Sequence, residues 1–136
     1  MYALIALLSV TAAVPPASPI EGRWTNPKQS LVVRISRCGS NYCGIIEAAH
    51  DRPGAKGSSA SLVGTQVLGG FRRAANGSFT GKAFDPRHGV ASNAVIRVTS
   101  PNSLAIKGCV VGGLLCKEQH WRRVGQIERN QRGNAV

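Results

Sequence analysis

Two pairs of cysteines, Cys38 with Cys43 and Cys109 with Cys116, each bracket a turn-like interval between runs with strand character. Gly39-Ser40-Asn41-Tyr42 lies inside the first pair, and Val110-Val111-Gly112-Gly113-Leu114-Leu115 lies inside the second. Four cysteines allow three disulfide connectivities. The local one is favoured because each pair sits where two antiparallel strands face each other across a turn. On the chain-entropy argument loops this short stabilise by only about 2–2.5 kcal/mol each, against roughly 4 for a bridge from Cys38 to Cys109. Geometry rather than energy therefore selects the local pairing. The rival reading is a four-cysteine zinc site, but C-x4-C and C-x6-C are looser than the C-x2-C knuckles of such sites. Disulfides persist in oxidising compartments, so the chain is expected outside the cytoplasm, in the periplasm or secreted.

The N-terminus agrees with that compartment. Ala3 to Val14 is apolar, of signal-peptide length, and too short to cross a bilayer as a helix. No Lys or Arg precedes this stretch, so only the terminal amine supplies positive charge there. Small residues follow, and cleavage is expected after Ala13 or Ala17. The expected organisation is a signal peptide over 1–17, one β-barrel domain over 18–124, and a basic, frayed tail over 125–136. Removing the leader leaves about 115–120 residues, within the usual range for one domain with one core. No later stretch is long and apolar enough to span a membrane as a helix, and a soluble product is expected.

Strand signals dominate the rest. Leu31 to Cys38 alternates, with Leu31, Val33 and Ile35 on one face and Arg34, Ser36 and Cys38 on the other. Gly39 to Asn41 supplies a turn, and Tyr42 to Glu47 returns as a second strand. His50 to Ser61 reads as a loop, and Leu62 to Leu68 as a short apolar element of open type. Phe71 to Ala74 and Phe79 to Phe84 flank Asn76-Gly77, the strongest short hairpin dipeptide. Asp85-Pro86-Arg87-His88-Gly89 and Pro101-Asn102 are turns by their chemistry. They separate Ala94 to Val98 from the preceding strand and from Leu104 to Lys107, and the last strand runs from Leu115 to about Val124. No segment keeps a helical period. Seven or eight short strands with regular turns predict an all-β fold, a single antiparallel up-and-down barrel, with a sandwich as the alternative. Its interior is expected to hold Leu31, Val33, Ile35, Ala94, Ile96, Val98, Leu104 and Ile106, with Trp24 at one end.

Gly22-Arg23-Trp24 at the start of the first strand is similar to the Gly-x-Trp signature of lipocalins. That resemblance implies a Trp closing one end of the barrel and packed against an Arg from the last strand. Arg122 and Arg123, in Trp121-Arg122-Arg123-Val124, are both placed to cover Trp24. A longer match adds Arg37-Cys38-Gly39-Ser40-Asn41-Tyr42-Cys43-Gly44, Leu62-Val63-Gly64-Thr65-Gln66, Phe79-Thr80-Gly81-Lys82-Ala83-Phe84-Asp85-Pro86 and Lys107-Gly108-Cys109. In that order these segments resemble the bacterial exported domain of unknown function family 2147. The resemblance implies a small lipocalin-like barrel outside the cytoplasm and no established activity, ligand or catalytic residue. One departure is the segment Arg52 to Ser58, which lacks the Asn-Pro and Arg-x-Arg-Pro pattern usual in the family.

Charge is the remaining functional clue. Seventeen Lys and Arg against six Asp and Glu give a formal +11, and twelve of the seventeen are Arg. Arg suits bidentate recognition of carboxylate or phosphate. A surface this basic concentrates near anionic envelope components, with a strong salt dependence, and allows peripheral membrane contact. Specific nucleic-acid binding is not expected, because the few aromatics are needed for the core. No cofactor or metal is implied, and the chain is expected to be a monomer. No hydrolase elbow or zinc-protease helix is present. Of three candidate acid–base pairs, His50 with Asp51 edges a loop and Asp85 with His88 shapes a turn, which leaves Glu118 with His120, on one strand face with Arg122. That face is read as solvated rather than as an inward polar cluster. The expectation is a binding module, taking either a small apolar or amphipathic ligand in the barrel or an anionic envelope component on its Arg-rich surface. Trp24, Glu118, His120, Arg122 and Arg123 are the candidate ligand-binding residues. A structural or stress-related envelope protein acting by protein contact is the alternative, and a hydrolytic enzyme a further one. Minimum-size eight-stranded barrels fill themselves with side chains, which favours the surface.

Overall fold

Alternating apolar residues separated by short turns form eight strands here. They are β1 (Gly22–Thr25), β2 (Leu31–Cys38), β3 (Asn41–Ala49), β4 (Gln66–Arg73), β5 (Phe79–Asp85), β6 (Val90–Ser100), β7 (Ser103–Val110) and β8 (Leu115–Arg123). Each pairs antiparallel with the next, and β1 pairs with β8 to close the barrel. The computed structural model describes residues 18–50, 59–110 and 115–125. The expected leader, most of the expected loop after His50 and most of the expected tail lie outside them. Both disulfides are local, Cys38 to Cys43 and Cys109 to Cys116. Each joins neighbouring strands of one hairpin, as the intervals between the cysteines predicted.

The up-and-down course gives the barrel two distinct ends. The β2–β3, β4–β5 and β6–β7 turns gather at the end where β1 begins and β8 finishes, here called the closed end. β3, β5 and β7 finish at the other end, here called the open end. Between them the largest fully buried side chains are Trp24, Phe71, Phe79, Ile20, Ile46, Ile96, Leu104 and Val33. Gly81 admits one of the two phenylalanines. A Cβ there would lie 2.7 Å from both the Phe71 ring and the Gly69 carbonyl oxygen, so only hydrogen at that position lets Phe71 enter the core.

One sequence expectation about the interior needs correction. Val98, expected in the core, is instead 36% exposed. It sits next to the β6–β7 turn, where the register shifts between Val98 and Ser100 and the strand runs past the packed interior. Val32 is buried like Val33, yet it lies outside the core cluster that Val33 joins. The β2–β3 ladder steps from Val32 opposite Ala48 to Val33 opposite Ile46, so β3 carries a bulge at Glu47. Leu31 is only half-buried at the margin of the core. The open-type element at Leu62 to Leu68 divides in two. Ser59–Leu62 forms one 3-10 turn, and β4 begins only at Gln66.

Candidate functional site

The closed end is built from the segment just before β1. Ile20 and Trp24 are fully buried there, and the Trp24 indole Nε1 donates to the Ile20 carbonyl at 2.9 Å. Arg123, at the end of β8, lays its guanidinium 4.3 Å from the Trp24 ring centroid. Its Nη1 donates to the Glu21 carbonyl at 2.7 Å, its Nη2 to Pro19 at 3.1 Å, and its Nε to Pro101 at 3.1 Å. Of the two arginines placed to cover Trp24, Arg123 does so, while Arg122 points to solvent. The first residue of the Gly-x-Trp motif is explained by the same contact. Gly22 has φ +132°, and a Cβ on it would collide with the Arg123 guanidinium. Trp24 and Arg123 are thus committed to closing the barrel.

The other candidates lie on the outside. In β8 Trp121 is buried, its Nε1 donating to Gln119 Oε1 at 3.0 Å, so Glu118, His120 and Arg122 alternate outward and are exposed. Glu118 accepts from Arg97 Nη2 at 2.9 Å. Glu118 and His120 therefore face solvent and do not converge inside the barrel. Asp85 and His88 form a second exposed pair at 2.7 Å on the β5–β6 turn. Burial raises the Asp85 carboxyl, but hydrogen bonds from His88 and from the Arg87 and His88 amides outweigh it and hold the group below its usual value.

Many of the arginines are occupied by contacts of this kind. Arg23 and Arg34 converge on Glu47 at 2.6 and 3.0 Å, and their hydrogen bonds and charge hold that carboxyl below its usual range. Arg97 binds Glu118, and Arg37 and Arg73 lie over the Tyr42 and Phe79 rings. Among the cations left without a carboxylate partner in the described residues is a cluster that sequence reasoning did not single out. Arg72, Lys82 and Lys107 line a hollow of about 580 Å³ on the outer face of β4–β7, together with Thr80 and Asn93.

Strand register explains how distant residues meet there. Arg72 lies opposite Thr80, Thr80 opposite Val95, and Val95 opposite Lys107. One row away, Lys82 lies between Gly69 and Asn93, and Asn93 faces Cys109. With strands about 4.8 Å apart, the first row spans roughly 14 Å between the Arg72 and Lys107 backbones. Gly69 and Gly70 add no side chains to this wall, which leaves the hollow open. Among the described residues no carboxylate pairs with Arg72, Lys82 or Lys107. Glu118 stands opposite Lys107 in the β7–β8 ladder, yet its carboxylate is turned to Arg97. Three uncompensated cations with a hydroxyl and an amide between them form a surface that attracts and hydrogen-bonds anions. In the linear sequence nothing distinguishes these three cations from the others. Only the ladder brings them together.

Comparison with known proteins agrees with the architecture. A sequence model of a family described as "Uncharacterized protein conserved in bacteria (DUF2147)" matches residues 22–123. Among solved structures, protein HP1028 from Helicobacter pylori, described as belonging to the lipocalin family, is similar with a TM-score of 0.61 at 15% identity. The likeness covers 82% of this chain and 86% of that one, and at such identity it concerns the fold alone. No curated protein matches the chain.

Proposed function

The chain belongs to that bacterial family and has its lipocalin-like barrel, and from this premise we propose that it is an exported binding module for an anionic component of the cell envelope. The observation that carries the reading is the hollow on β4–β7, where Arg72, Lys82 and Lys107 stand without a carboxylate partner among the described residues. Two disulfides and an apolar N-terminal stretch support export. Large side chains packed through the described interior favour the outer surface over the barrel lumen as the place of binding. Fold and family point to binding rather than catalysis.

A soluble polyanion tests the groove directly. Inositol hexakisphosphate should bind the protein in isothermal titration, with an affinity that falls steeply as salt is raised. The double variant Lys82→Gln/Lys107→Gln should bind roughly three- to ten-fold more weakly, the range expected for two exposed charge pairs. Equal binding by the variant would remove the groove from consideration. The lipocalin-like fold favours a second reading, a small apolar ligand within the barrel. Native mass spectrometry of protein purified from the periplasm tests it, because a carrier would retain a non-covalent mass.

A further inference from the structure

We infer that the anion recognised by the groove is the head group of a membrane lipid, and that the barrel docks on an anionic bilayer with the β5–β6 corner of its open end. This inference rests on the anion-binding reading of the groove and adds to it an apolar rim. Along the outer face of β5 the side chains run Thr80, Lys82, Phe84 toward the open end. Phe84, an aromatic residue, is 38% exposed there. Val90, at the start of β6, is 44% exposed at the same corner, and because its backbone pairs with Asp85 its side chain takes the sheet face opposite to Phe84. Val63, 49% exposed, lies at the same end in the connection leading into β4. Arg87 stands exposed in the turn between β5 and β6, and among the described residues no carboxylate pairs with it.

Cations behind an exposed aromatic rim match the layered chemistry of a bilayer surface. Two residues along a strand separate Lys82 from Phe84 by roughly 7 Å. An interfacial segment buries its apolar side about 5–10 Å into the boundary between head groups and acyl chains. With Phe84 at that depth, Lys82 stands level with the phosphates. Arg72 and Lys107 lie farther back in the groove, where they reach neighbouring head groups. The apolar rim is small, so neither part suffices alone. Docking is reversible and needs both the charge and the aromatic edge.

The test is sedimentation of the mature protein with vesicles of phosphatidylcholine, with and without a third of phosphatidylglycerol. The protein should pellet with the anionic vesicles and stay in solution with the neutral ones. Phe84→Ser should weaken vesicle binding about ten-fold while leaving its melting temperature and its binding of inositol hexakisphosphate unchanged. Lys82→Gln should weaken binding to anionic vesicles by about five-fold and binding of hexakisphosphate by a few-fold. A Phe84→Trp variant should shift its emission to the blue on anionic vesicles, above the constant signal of buried Trp24 and Trp121. Hexakisphosphate binding without vesicle binding would overturn the lipid inference and leave the groove intact. Vesicle binding indifferent to Phe84→Ser would also overturn it, because charge alone would then account for the contact. Binding of neither probe would overturn both readings.

Discussion

Replacing Arg123 by Ala should unlatch the closed end of the barrel. The side chain covers Trp24 and donates to three backbone carbonyls, and two of those, on Pro19 and Glu21, belong to the segment preceding β1. A cation over an indole contributes about 0.5–1 kcal/mol at an exposed site and about 2 when desolvated. A hydrogen bond from a charged donor contributes about 1.5–3 kcal/mol when sheltered. Only the bond to Glu21 is sheltered in this way, and the bonds to Pro19 and Pro101 face solvent, where water replaces much of the loss. The expected destabilisation is about 3 kcal/mol, which for a domain near this size lowers the melting temperature by about 10–20 °C. Arg122→Ala is the control, because Arg122 is exposed and should change stability by less than about 0.5 kcal/mol. Urea unfolding with the disulfides intact gives both values on one scale. Hydrogen exchange should localise the Arg123→Ala effect to amides of Ile20 through Thr25. Gly22→Ala attacks the same contact from the other side, by pushing a methyl group into the guanidinium at a backbone angle that L residues rarely adopt. If Arg123→Ala were no more destabilising than Arg122→Ala, the latch described here would be wrong.

Gly81→Ala should destabilise by about 2–4 kcal/mol, because the new methyl group meets the Phe71 ring and a backbone carbonyl that cannot both move aside. Thermal unfolding checks this, and a neutral substitution would contradict the packing of Phe71. Glu47 is held below its usual value when folded, so its ion pairs stabilise at neutral pH and are lost as pH falls through the folded-state value. Its partners are a third or more exposed, so Glu47→Gln should cost less than about 1 kcal/mol at neutral pH, and the difference from the parent should vanish in acid. Cys109→Ser/Cys116→Ser should cost about 2 kcal/mol in urea unfolding, the modest amount a short closed loop contributes. A loss several-fold larger would mean that the bridge fixes strand register rather than merely limiting the unfolded chain.

Much of this architecture is legible along the chain. Alternation in Leu31 to Cys38, Asn76-Gly77 between apolar runs, and Asp85-Pro86 before a glycine each act over a few residues, and each appears where its local chemistry places it. The cysteine pairs are of the same kind, since a bridge across a hairpin needs only that its two strands turn. Tyr42 to Glu47 and Phe71 to Arg73 belong to longer strands, Asn41–Ala49 and Gln66–Arg73, because ladder partners extend pairing past the residues with strong strand preference, while Ala74 falls in the turn. Val98 keeps the alternation, opposite Leu104, but lies past the packed interior beside a register shift. A bulge or register shift depends on the partner strand, and the sequence of one strand does not contain it.

The candidate site follows the same division. Sequence by itself favoured the two stapled hairpins and the strand-rich fold, because turns, alternation and short cysteine spacings are local, while the Gly22-Arg23-Trp24 closure was what the lipocalin resemblance implied. It also determined the excess of positive charge, but not where that charge goes. Tertiary structure decided that Arg123 rather than Arg122 closes the barrel, and that Glu118 and His120 face outward. It also decided that Arg23, Arg34 and Arg97 are occupied by carboxylates while Arg72, Lys82 and Lys107 are left together. The physical reason is register. Residues 35 positions apart become neighbours on one face only when four strands align, and a shift of a single residue would turn each of those side chains to the other side of the sheet.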